Sequence, residues 1–128
     1  MDVGAFKFYV PPDMNEVQPD GIAIDSLVRT HQGKFIALNF DYGMYSNSLS
    51  DPENPDYRSH EEVVGGKPAH FASWGLVATE GDKKLNRLGV YIRDTGREGM
   101  RLMMAAVCQD HMSCRDAEEI FRTVRFAK

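Results

Sequence analysis

Apolar residues recur at every second position through much of this chain, and that spacing points to a β-sheet fold. Lys34 to Tyr42 is the cleanest case, with Ile36, Leu38, Phe40 and Tyr42 on one side and Phe35, Ala37, Asn39 and Asp41 on the other. Phe6, Phe8 and Val10 alternate in the same way until Pro11-Pro12 ends the run, because proline has no N–H to give to a ladder. Three more runs follow, one from Pro68 to Thr79, one carrying Leu88, Val90 and Ile92, and one carrying Met100, Leu102, Met104 and Ala106. Gly65-Gly66, Gly81-Asp82 and Asp94-Thr95-Gly96 supply the turns between them. A register that sets Ile92 opposite Leu102 and Val90 opposite Met104 leaves Tyr91, Met103, Ala105 and Val107 on the reverse. Both faces are then partly apolar, and both need cover.

One strong helix is expected near the end. Ser113 is read as its N-cap, acids follow at Asp116, Glu118 and Glu119, and Arg122 and Arg125 come later, in keeping with the helix dipole. Ala117, Ile120, Phe121 and Val124 have the spacing of a face packed on a sheet, and Val124 to Ala127 then adds an edge strand. Ile24, Leu27, Val28 and His31, closed by Gly33, fit a second helix and fit an extended segment equally. The fold class expected is α+β: an antiparallel sheet of about five to six strands covered by helices, in one domain spanning residues 1–128. A chain of 128 residues with 42% hydrophobic positions can bury such a core without metals or many disulfides.

Charge locates more than it totals. The net −4 divides into −7 over residues 1–64, with 11 acids and 4 bases, and +3 over residues 65–128, with 8 acids and 11 bases. A pI near 5.5 argues against nucleic-acid binding. No apolar run is long enough to span a membrane. Met1 to Val10 has no signal-peptide pattern, so the expected compartment is periplasmic or extracytoplasmic where an export signal was trimmed, and cytoplasmic otherwise.

Six acids fall within Asp41 to Glu62, which reads as a long loop bearing Tyr42, Tyr45 and Tyr57. Tyrosines among Ser, Asn and Gly make good contact residues, so a protein partner is expected at Asp41, Tyr42, Tyr45, Asp51, Glu53, Asp56 and Tyr57. The competing expectation is a solvated loop whose tyrosines lie back on the domain. Asp51, Glu53 and Asp56 lack the glycine and terminal Glu of a calcium loop. The bases Lys83, Lys84, Arg87, Arg93, Arg97 and Arg101 lie on or near turns, and Arg93, Arg97 and Arg101 are candidates for an anion or an acidic partner.

Cys108 and Cys114 are the only cysteines, spaced to close a short disulfide in an oxidising compartment. As thiols, with His111 between them, they offer three soft ligands, a weaker metal-binding alternative whose spacing matches no established zinc pattern. No nucleophile elbow, phosphate loop or dinucleotide fingerprint occurs, and no cofactor is expected. A small hydrolase would need Ser26 or Cys114 beside a histidine.

The order of elements, with Gly21-Ile-x-Ile-Asp-Ser26, a strand running into Phe40-Asp-Tyr-Gly43, and a closing Ala117-Glu-x-Ile-x-x-x-Val-x-Phe126, resembles small bacterial PsbP-like proteins. That resemblance covers most of the chain. It implies an α/β/α sandwich around an antiparallel sheet and an accessory or binding role rather than catalysis. A non-enzymatic binding domain, for example an immunity or inhibitor protein, is the function expected.

Overall fold

The computed structural model describes residues 6–10, 15–17, 26–32, 36–43, 48–51, 53–80 and 83–126. Its strands are β1 (Phe6–Lys7), β2 (Asn15–Val17), β3 (Ser26–Gln32), β4 (Ile36–Gly43), β5 (Arg58–Val64), β6 (Lys67–Glu80), β7 (Lys83–Ile92), β8 (Arg101–Cys108) and β9 (Arg125–Phe126), with one helix, α1 (His111–Arg122). Seven strands form one antiparallel sheet in the order β2-β3-β4-β8-β7-β6-β5, and β1 pairs separately with β9. The hairpin register is the one the alternation demands, Ile92 against Leu102 and Val90 against Met104.

Alternation decides what each face buries. Ile36, Leu38, Phe40 and Tyr42 of β4 join Leu88, Val90 and Ile92 of β7 and Leu102, Met104 and Ala106 of β8 in the main core. Ala117, Ile120, Phe121 and Val124 come down on this face from α1 and its C-terminal end. Beside them the Phe6 ring stands edge-on to Phe40 at 5.2 Å and 5.4 Å from Tyr42, so the β1–β9 pair completes the cover. Gly65 lets this pair approach. A Cβ there would lie 2.8 Å from the Val124 carbonyl, at a backbone φ of +60°.

Several expectations need correction. The chain is not an α/β/α sandwich: among the described residues a single 12-residue helix covers one face only. The segment that fits a second helix contains β3, where Ser26–Gln32 pairs residue for residue with Ala37–Gly43 and satisfies the edge of β4. Val28 and Thr30 are β-branched, which suits that choice. Ile24 and Gly33 lie outside the described residues, as does the Gly81-Asp82 turn. The sheet has seven strands rather than the five to six expected, because β2 and the edge strand β5 were not read as strands and β3 was left open between helix and extended chain, while β1 and β9, the expected edge strand at Val124 to Ala127, pair with each other outside it.

The helix also starts earlier than Ser113. Asp110 is the N-cap, accepting from the Ser113 N–H at 2.7 Å, while Ser113 Oγ accepts from the Asp110 N–H at 3.1 Å. The first turn therefore contains no acid, and Asp116, Glu118 and Glu119 come later.

Candidate functional site

The connection from β4 to β5 must cross β8, β7 and β6, because those strands lie between the two in the sheet. Its described residues, 48–51 and 53–57, lie over the face opposite α1. Leu49 is the anchor. Its side chain is only 2% exposed and packs with Ala72 and Trp74, flanked by Tyr57, Tyr91 and Met103. Room for it exists because position 89 is glycine: a Cβ there would lie 2.7 Å from Leu49 Cδ1.

Leu49 also has φ +60°, the one non-glycine in the left-handed region among the described residues. For a bulky residue that conformation costs about 1–2 kcal/mol, and full burial of a leucine side chain returns about 2 kcal/mol. Packing thus holds a backbone that local preference opposes.

Polar contacts fasten the rest of the loop. The Tyr57 hydroxyl donates to the Leu49 carbonyl at 2.8 Å and lies 2.9 Å from His70 Nε2. His70 Nδ1 is 2.6 Å from Glu61 Oε1. Glu61, His70 and Tyr57 are lined up as in a proton relay, but the terminal hydroxyl is committed to a backbone carbonyl, so the chain acts as a fastener. Trp74 Nε1 donates to Asp51 Oδ2 at 3.1 Å, and the Arg87 guanidinium lies 4.5 Å above the Trp74 ring. A bulge between the Ser73 and Gly75 pairings inserts Trp74 into β6 as an extra residue, and Gly75 takes φ +68° beside it. Two turns complete the loop, with Asn54 N donating to the Asp51 carbonyl at 3.2 Å and Tyr57 N to the Asn54 carbonyl at 3.1 Å.

These positions redistribute the residues expected to meet a partner. Tyr42 is in the main core, only 5% exposed, and its hydroxyl has no hydrogen-bond partner among the described residues. Asp41 is half-buried on β4, and Tyr45 lies outside the described residues. Asp51 and Tyr57 hold the loop down. Glu53 and Asp56 are exposed on its outer side. Arg58 to Glu62, read as loop, belongs to edge strand β5.

Sequence reasoning passed over Leu49, Glu61 and Gly89. Gly89 was the detectable one, because a glycine between Leu88 and Val90 inside a strand marks close approach by another group. The bases form no single patch. Lys83 and Lys84 open β7 and Arg93 follows its other end, about 30 Å away at strand spacing. Arg87 is taken up by Trp74. Arg93 and Arg97 share a surface depression whose lining does not include Arg101, the first residue of β8.

A second electrostatic cluster ties α1 to β5. Arg122 grips Glu62 through Nε and Nη2, each at 2.9 Å, and reaches Glu119 at 2.7 Å, while His60 Nε2 is 2.6 Å from Glu62 Oε2. The Arg122 hydrogen bond, followed by that of His60, lowers the Glu62 pKa from 4.5 to about 2. A depressed carboxylate stabilises the fold above its unfolded pKa and loses that contribution as pH falls through the folded value. Both partners are partly solvated, so the expected contribution is about 1 kcal/mol. Thermal melts from pH 5 to pH 2 should therefore fall more steeply for the native protein than for Glu62→Gln; parallel slopes would count against the pair.

Cys108 and Cys114 are joined in a disulfide, with Cα atoms 5.2 Å apart. Sulfurs in that bond are not thiolate ligands, so the Cys108–His111–Cys114 metal set is not available in this state, and Cys114 is no nucleophile. His111 opens α1, and no cluster of His, Cys, Asp or Glu suited to a metal occurs among the described residues. No helix among them is long and apolar enough to cross a membrane. Comparison with protein-family models, curated proteins and solved structures returned no match.

Proposed function

We propose that this protein is a non-enzymatic binding domain that presents the loop 48–57 to a basic protein partner, in the manner of an inhibitor or immunity protein. One observation carries the reading. Leu49 is held at φ +60° by burial against Gly89, so the loop is pre-formed while Glu53 and Asp56 remain exposed on it. A recognition loop ordered before encounter avoids the entropy of ordering it on binding. Exposed acids add electrostatic steering, which raises the association rate more than the final affinity. The tyrosines act from beneath: Tyr57 pins the loop instead of anchoring a partner. The Cys108–Cys114 disulfide favours an oxidising, extracytoplasmic setting.

The test uses a photo-crosslinking residue at exposed Ser50 in the native host, with adducts identified by mass spectrometry. A discrete adduct is expected that fades with added salt and weakens about tenfold in Glu53→Lys/Asp56→Lys, since rim charges contribute up to about 1 kcal/mol each. Adducts that persist unchanged in the double variant would remove the loop from consideration as the recognition element.

A further inference from the structure

The turn between β7 and β8 builds a second feature, whose lining includes no residue of loop 48–57. Residues 93–100 wrap a depression of about 510 Å³ lined by Pro68, Arg93, Asp94, Gly96, Arg97, Glu98 and Gly99. That volume suits a small molecule. The turn is internally braced. Thr95 is 3% exposed and its hydroxyl donates to the Met100 carbonyl at 2.8 Å, while Met100 N donates to the Arg97 carbonyl at 3.1 Å. Gly96 and Gly99 take φ +88° and +76°, and no atom lies within 4 Å of where a Cβ would stand on either. That part of the wall is bare backbone, open to close approach.

Charge within the depression is unevenly satisfied. Asp94 is occupied on two sides, by the Gly96 N–H at 3.1 Å and by Lys67 Nζ at 3.5 Å. Arg93 and Arg97 are different: both are exposed, and neither guanidinium makes a hydrogen bond or ion pair among the described residues. By contrast Arg58, Arg122 and Arg125 hydrogen-bond to carbonyls or carboxylates. With Lys67 set against Asp94, the cavity presents two guanidinium groups without a partner among the described residues against the one carboxylate of Glu98. Guanidinium forks match the paired oxygens of a phosphate or carboxylate.

We propose that the depression formed by residues 93–99 is a binding site for a small oxyanion, a phosphate or carboxylate group gripped between Arg93 and Arg97. Glu98 in the lining disfavours ligands crowded with negative charge and admits a ligand bearing one such group. Loss of both arginines removes two charge-assisted contacts and is expected to weaken binding by at least about tenfold.

Inorganic phosphate and acetate, titrated separately at fixed ionic strength into ¹⁵N-labelled protein, distinguish the two sources. Saturable shifts of the Gly96 and Gly99 amides are expected with at least one anion, and the tighter one identifies the group. In Arg93→Gln/Arg97→Gln the shifts should weaken about tenfold or vanish, whereas Arg115→Gln, exposed on α1, should leave them unchanged. Absence of saturation by either anion below about 10 mM, or equal shifts in the double variant, would overturn the assignment. Both arginines are exposed and make no pair among the described residues, so an unaltered melting temperature confirms that the double variant is folded.

Discussion

Replacing Gly89 by alanine is expected to eject Leu49 from the sheet and release the loop it anchors. The new methyl carbon would stand 2.7 Å from Leu49 Cδ1 and 2.9 Å from the Met104 carbonyl oxygen. A leucine tip can swing away, but the carbonyl belongs to the neighbouring strand and cannot yield without bending the sheet. Overpacking of this kind costs about 1–3 kcal/mol, and exposure of Leu49 adds about 2 kcal/mol. A melting temperature lower by roughly 10 °C or more follows for a domain of this size. Trp74 is the only tryptophan and is 6% exposed beneath the loop, so its emission should shift to the red. Limited proteolysis should cut within 48–57 in the variant before the native protein is touched. Leu49→Ala, which keeps Gly89, should reproduce the fluorescence and proteolysis changes without the clash. If Gly89→Ala melts with the native protein and its fluorescence is unmoved, the Leu49 seat does not hold the loop.

Opening the Cys108–Cys114 disulfide is the other large effect. The bond closes a short loop across the junction of β8 and α1, and the same loop contains the Asp110 N-cap. Closure of about seven residues is worth about 2–3 kcal/mol by the chain-entropy account. Reductant should therefore lower the melting temperature by roughly 6–15 °C, and Cys114→Ala should melt at the reduced value with or without it. The Asp110–Ser113 capping box survives in that variant, so helical circular dichroism at low temperature should be retained. Rapid labelling of two thiols in the native, unreduced protein would show that the bond is not formed. Because Cys108 is fully buried, labelling of Cys114 alone would point to a broken bond in a folded chain.

The parts of this molecule that were legible in the sequence are those governed by near neighbours. Period-two alternation located β4, β6, β7 and β8 and set the β7–β8 register, because a slip of one residue would turn Val90 and Ile92 away from the core. Helical spacing found the buried face of α1 through Ala117, Ile120 and Phe121, with Val124 just past its end. Six acids within residues 41–62 pointed to the segment that holds the candidate loop.

What each residue does in that segment was not legible, since it depends on strands far away in the chain. Tyr42, Tyr57 and Asp51 look alike as polar contact residues in the sequence, yet Tyr42 fills the core, Tyr57 reaches His70 and Asp51 receives the Trp74 indole. The second apolar face demanded cover, and alternation alone suggested helices. Tertiary structure supplies a loop instead, because β5 pairs beyond β6 and the chain must cross three strands to reach it. β3 was decided in the same way, by the open edge of β4 rather than by its own ambiguous spacing. The sequence by itself determined which residues alternate, where the helix packs and where the acids gather, all through contacts a few positions apart. Only the tertiary structure decided strand order, and with it the seating of Leu49 on Gly89, because that contact joins residues 40 positions apart that no local period relates.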